Sequence, residues 1–143
     1  MVRITTIMEW KMLINQELER NNSVCGTCLI LRRNTVVHAS GCLKDLNSQH
    51  MQQFINVFRC SSEKHTKQLY DTGFNLSLNE RKNLKFNIFY KSLTSVYASC
   101  LNGELGLVVC YLPYGVLVCM HDTPLNSGSV INTIEKFCAK LRS

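Results

Sequence analysis

Eight cysteines stand in this 143-residue chain: Cys25, Cys28, Cys42, Cys60, Cys100, Cys110, Cys119 and Cys138. Two of them form Cys25-Gly26-Thr27-Cys28, the spacing of a redox pair or of half a zinc site. A redox pair draws its reactivity from a helix N-terminus that lowers the thiol pKa. Leu29-Ile30-Leu31 follows here, then Thr35-Val36-Val37, and both stretches read as strand. A structural zinc site needs four ligands, and the sequence has no second Cys-x-x-Cys and no His-x-x-x-His. His38 or Cys42 would complete one only if the fold happened to bring them close. Other cysteines lie inside apolar runs, as in Val108-Val109-Cys110 and Leu117-Val118-Cys119-Met120. We read the set as reduced, small core residues, with metal or redox chemistry as the second reading.

Catalysis by other groups has equally little to stand on. His38, His50, His65 and His121 are scattered, and only His121-Asp122 places a histidine beside a carboxylate. Thr123-Pro124 follows that pair, which suits a solvated turn at a strand end. No D-x-D, H-x-x-E or phosphate-binding G-x-x-x-x-G-K-[ST] string occurs. The expectation is a binding protein without catalytic residues, cofactor or metal. Trp10, the single tryptophan, is the residue most suited to binding. It falls on an apolar stripe, so core packing is its first reading and a stacking platform its second.

The charge balance is 16 Lys+Arg against 10 Asp+Glu, a net +6, which favours an acidic partner. The basic residues are spread along the chain as Arg32-Arg33, Lys64, Lys67, Arg81-Lys82, Lys85 and Lys91. With no run of five, and no aromatic residues interleaved for base stacking, nucleic acid is not an expected partner. Hydrophobic residues make up 45% and charged residues 18%, so a folded chain of one domain's length is expected. Apolar runs such as Leu105–Leu112 are too short to span a bilayer, and Met1–Thr6 lack the apolar core of a secretory signal. A cytoplasmic protein is the expectation.

Elements that would position these residues follow from periodicity. Ile7, Trp10, Ile14 and Leu18 mark a helix over Thr6–Arg20, ended by Asn21-Asn22-Ser23. Thr27–Arg32 and Thr35–Ala39 read as strands joined at Arg33-Asn34. Met51, Phe54, Ile55 and Phe58 mark a second helix over Ser48–Arg59, and Cys60–Lys67 reads as a polar loop. Leu84–Lys91, Ser95–Cys100, Leu105–Tyr111 and Val116–His121 are strand-like. Asn102-Gly103 signals a tight hairpin, and Pro113-Tyr114-Gly115 a turn with Gly115 in a left-handed conformation. Ser129 is placed as the N-cap of a last helix reaching Leu141. The prediction is one α+β domain over residues 1–143, a central antiparallel meander with the N- and C-terminal helices packed on one face. Residues 1–5 are expected to form a flexible extension.

Order and local strings together resemble the profilin family of small actin-monomer-binding proteins. Glu9-Trp10-x-x-x-Ile14 is similar to the family's W-x-x-Y-I, and Gly26–Gly41 to its first hairpin. Gly73-Phe74-Asn75-Leu76 resembles a family G-L-x-L, with about six extra residues before Lys85-Phe86-Asn87-Ile88. Ile134-Glu135-Lys136-Phe137-x-x-x-Leu141 resembles the closing V-E-R-L-x-x-Y-L. The likeness runs from Glu9 to Arg142.

The resemblance implies a monomer that binds monomeric actin and regulates its polymerisation as part of the cytoskeleton. It places the actin-facing residues at Lys85, Asn87, Ile88, Tyr90, Ala98, Tyr111, Gly128, Asn132 and Lys136. The family's polyproline groove falls on Trp10, Leu13, His38, Lys140 and Leu141. Only one aromatic wall is kept, so weak or absent binding of proline-rich ligands is expected, since proline rings stack on flat aromatic faces. Phosphoinositides are implied as anionic partners of Arg32, Arg33, Arg81, Lys82 and Lys85. The alternative is a non-actin interaction scaffold of roadblock or longin-like architecture, which would pair edge strands into a dimer.

Overall fold

The computed structural model describes residues 7–20, 23–31, 35–59, 62–77, 83–100, 105–122 and 127–142. Seven strands form one antiparallel sheet: β1 (Val24–Leu31), β2 (Thr35–Gly41), β3 (Phe74–Leu76), β4 (Leu84–Lys91), β5 (Ser95–Cys100), β6 (Gly106–Leu112) and β7 (Gly115–His121). Their order is β2-β1-β7-β6-β5-β4-β3, so β1 pairs with the last strand and the edges are β2 and β3. The four helices are α1 (Ile7–Ile14), α2 (Ser48–Asn56), α3 (Glu63–Thr72) and α4 (Ser127–Arg142). No helix among the described residues is long and apolar enough to cross a membrane.

Strand alternation sends side chains to two separate cores. On one face Trp10, Ile14 and Leu18 of the first helical segment meet Val130, Ile134, Phe137 and Leu141 of α4 over Leu29, Val108, Leu117 and Cys119. On the other, Phe54 and Val57 cover Cys28, Ile30, Phe74, Phe86, Val109 and Val118. The terminal helices therefore share one face, as their apolar stripes predict, and α2 with its 3-10 extension Val57–Arg59 closes the other. Central strands buried on both faces read as continuous apolar runs, which is why β6 and β7 carry Leu-Val-Val-Cys and Val-Leu-Val-Cys.

Three local expectations are corrected. Residues Glu63–Lys67, read as loop, lie in α3. Ser62 caps that helix by accepting from the His65 amide at 3.1 Å, and Gly73 ends it by donating to Leu69 O at φ +63°. Its side chains are nearly all exposed, so no apolar stripe announces it. Ser129 does not cap α4, which begins at Ser127 and runs through Gly128. Gly115 is not left-handed, because the positive-φ glycines are Gly41 and Gly73. It is glycine because a Cβ there would lie 2.3 Å from Ile30 O across the β1–β7 pair. Residues 1–5, the Arg33-Asn34 and Asn102-Gly103 turns and Cys60 lie outside the described residues.

Candidate functional site: the open end of the sheet

Cys25 and Cys28 both lie within β1, the first half-buried and the second fully buried. Burial pushes the Cys28 thiol up to about 12, and the Cys110 thiol is raised by its hydrogen bond with Cys138 and by burial. Cys25 is raised too, by its hydrogen bond with Cys42 and by burial, so neither thiol of the Cys-x-x-Cys spacing carries the lowered pKa of a reactive pair. Among the described residues no three His, Cys, Asp or Glu side chains gather as a metal site would need.

Polar side chains converge at Glu19. The first helix passes into a π turn over Asn15–Glu19, with the Arg20 amide bonding Asn15 O at 3.2 Å, and this swings Glu19 toward β1 and β2. Its Oε1 accepts from Ser40 Oγ at 2.5 Å, from Thr27 Oγ1 at 2.9 Å and lies 2.7 Å from His38 Nε2. Asn15 Nδ2 donates to Oε2 at 3.1 Å. Burial alone would raise this carboxyl, but the bonds from Ser40, His38, Thr27 and Asn15 outweigh it and hold the pKa at about 2. Serine, histidine and glutamate are all present, yet Ser40 donates to the carboxylate and not to the imidazole. These bonds tie the π turn that follows α1 to the β1–β2 hairpin.

The second cluster faces outward beside α4. Glu135, one helical turn from Ile131, reaches the sheet and accepts from Ser95 Oγ at 2.9 and 3.1 Å, from Tyr97 OH at 2.9 Å and from Cys110 Sγ at 3.3 Å. Burial and the nearby Glu135 carboxylate raise the Tyr97 phenol above its ordinary range. Tyr97, fixed in this way, carries Tyr90 stacked on its ring at 4.7 Å and Phe89 tilted at 6.2 Å. A register shift between Ile88 and Tyr90 puts both Phe89 and Tyr90 within reach of it. Phe89 is 56% exposed and Tyr90 45%, beside exposed Lys85 and half-buried Asn87 on the same strand. On α4, Gly128, Asn132 and Lys136 are exposed at intervals of one helical turn.

Of the nine residues the resemblance assigned to actin, Lys85, Asn87, Tyr90, Gly128, Asn132 and Lys136 reach solvent. Ile88 and Ala98 do not, because their side chains are 6% and 1% exposed in the core on the α2 side. Tyr111 is exposed but points to the α2 face, where its ring meets Phe58 at 5.4 Å. Strand parity sends these three side chains to the α2 face. Residue-level reading missed Phe89, Tyr97 and Glu135. The bulge brings Tyr90 opposite Tyr97 against the strict alternation from Ile88, while Phe89 keeps the parity of Lys85 and Asn87.

The groove positions of the terminal helices are spread apart by chemistry. Trp10 is 7% exposed, and its ring rests on Tyr114 at 5.2 Å, a neighbour that sequence reading did not supply. Leu13 is half-buried and Leu141 is buried. His38 is engaged by Glu19, and Lys140 lies 3.5 Å from Glu17. Of the anion-binding candidates, Lys85 is exposed on β4, while Arg32, Arg33, Arg81 and Lys82 lie outside the described residues.

Comparison with known proteins follows this geometry. The profilin family model matches residues 8–143. Among curated proteins no sequence matches. A Schizosaccharomyces pombe profilin is similar in structure, with TM-score 0.74, 17% identity and coverage of 92% of this chain and 95% of its own. Acanthamoeba castellanii profilin II is similar with TM-score 0.71 at 17% identity and the same coverages. LokiProfilin1, solved in complex with rabbit actin, is similar with TM-score 0.64 at 14% identity, covering 99% of this chain and 98% of its own. At such identities the structural likeness is one of fold. With the family's sequence pattern spanning nearly the whole chain, this protein belongs to the profilin family.

Proposed function

We propose that the protein binds monomeric actin one to one through the open β4–β5 surface and the adjoining stripe of α4, and thereby regulates filament assembly. The observation that carries this is the exposed aromatic pair Phe89 and Tyr90, held on Tyr97 by Glu135, with exposed Lys85 on the same strand. Two large aromatics left in water match the anatomy of a protein-binding surface. The net charge of +6 adds attraction for an acidic face and speeds encounter. Family membership, and a solved relative seated on actin, support the choice of partner.

Proline-rich segments are poor ligands under this proposal. Trp10 is mostly buried, Leu13 and Leu141 offer no flat ring, and His38 and Lys140 are turned to carboxylates. Lys85 is shared by the actin surface and the phosphoinositide candidates, so an anionic lipid headgroup would compete with actin. The test is actin polymerisation followed by fluorescence, with and without this protein and a formin-type proline-rich segment. The expected result is slower assembly that the segment does not reverse. Unchanged filament mass at excess protein would sink the actin proposal. Saturable, low-micromolar binding of a proline decamer, read from Trp10 fluorescence, would overturn the proline statement alone.

A further inference from the structure

The α2 face carries a feature that actin binding does not use. At the end of the sheet where the β4–β5 and β6–β7 turns meet the 3-10 segment, a cleft of ≈ 540 Å³ opens to solvent. Its floor is the buried Ile30 and Val116, and Phe58, Tyr111 and Leu93 form its walls. Leu93 is 89% exposed, the most exposed of the large apolar side chains among the described residues.

Nothing about that tip is loose. Ser92 N donates to Ser95 O at 2.8 Å, and Ser92 Oγ accepts from the amides of Thr94 and Ser95 at 3.2 and 3.0 Å. Thr94 O accepts from the Tyr111 amide at 2.8 Å and from the Arg142 guanidinium at 3.0 Å, while Arg142 Nε donates to Tyr111 O at 3.1 Å. Both walls are thus pinned by backbone bonds, and Leu93 is held out in water by a rigid turn. A preformed concave apolar surface of this volume is the kind that takes a small ligand.

The lining also states a charge preference. Ten residues surround the cleft, nine are uncharged, and the tenth is the exposed Arg59 at its rim. A guanidinium beside apolar walls pairs with a carboxylate by two parallel hydrogen bonds, at a site where water is partly excluded. We propose that this cleft binds a small amphiphile with an apolar tail and a single carboxylate head, the tail over Ile30 and Val116 and the head on Arg59. This site lies on the opposite face from the surface proposed for actin, and it stands or falls independently of that surface.

Titration of the intact protein with decanoate, decanol and decyltrimethylammonium below their micellar concentrations tests it, by calorimetry and by amide NMR shifts. Decanoate is expected to bind one to one, with shifts centred on Leu93, Tyr111 and Arg59, and at least about tenfold more tightly than the other two. Arg59→Gln should erase that preference and leave decanol binding and the melting temperature unchanged. Leu93→Ser should weaken decanoate and decanol together. Equal affinity for the three probes, decanoate binding untouched by Arg59→Gln, shifts centred elsewhere, or no saturable binding would each overturn the proposal.

Discussion

Glu19 concentrates more interaction than any other polar side chain described. Four side chains donate to or face one carboxylate, and the pKa falls from 4.5 to about 2. Because the folded value lies below the unfolded one, its stabilisation is complete above about pH 5 and is lost as pH falls through 4.5 toward 2. The shift corresponds to at most about 3 kcal/mol. Buried His121, whose pKa is lowered chiefly by burial, adds an earlier loss as pH drops below the ordinary histidine range. Urea unfolding at a series of pH values should therefore show a two-stage acid decline. Glu19→Gln keeps one acceptor, so it should cost about 1–3 kcal/mol at neutral pH and flatten the lower stage. An unchanged acid profile in that variant would show that the cluster does not hold α1 to the hairpin. None of this was legible in the sequence, because Glu19, Thr27, His38 and Ser40 meet only through a π turn and a strand pairing that composition does not encode.

Elements were far more legible. Every strand from β4 to β7 lies within a residue or two of its apolar run, and the stripes of the terminal helices point to the core they share. Period-two and period-3.6 patterns survive because burial enforces them. Where burial is weak, the signal is gone. α3 has no buried side chain, and only its Ser62 cap and Gly73 stop distinguish it from loop. Lys85 and Asn87 reach the open face by alternation and Tyr90 by the register shift, while Ile88, Ala98 and Tyr111 project to the other side. The clamp between α4 and the sheet makes a prediction at this scale. Glu135→Ala frees Ser95, Tyr97 and Cys110 from their acceptor and should cost about 1–3 kcal/mol. It should also weaken actin binding without touching any predicted contact, because Tyr97 no longer holds Phe89 and Tyr90. Loss of stability with actin affinity intact would separate the clamp from the surface.

At the scale of the whole molecule, one sheet serves two faces with different fates. The terminal-helix face is sealed over β1, β6 and β7 and left open over β4 and β5, where aromatics and lysines gather. The α2 face carries the cleft beside Arg59. Of the positions that the resemblance assigns to a proline groove, Trp10 rests on Tyr114, His38 meets Glu19 and Lys140 lies beside Glu17. The most direct test of the central claim is calorimetric titration of polymerisation-blocked monomeric actin with the wild-type protein and with Phe89→Asp and Lys136→Glu. A one-to-one complex, weakened at least about tenfold by each substitution at unchanged melting temperature, is the predicted result. Absence of wild-type binding, or wild-type affinity in both variants, would contradict it.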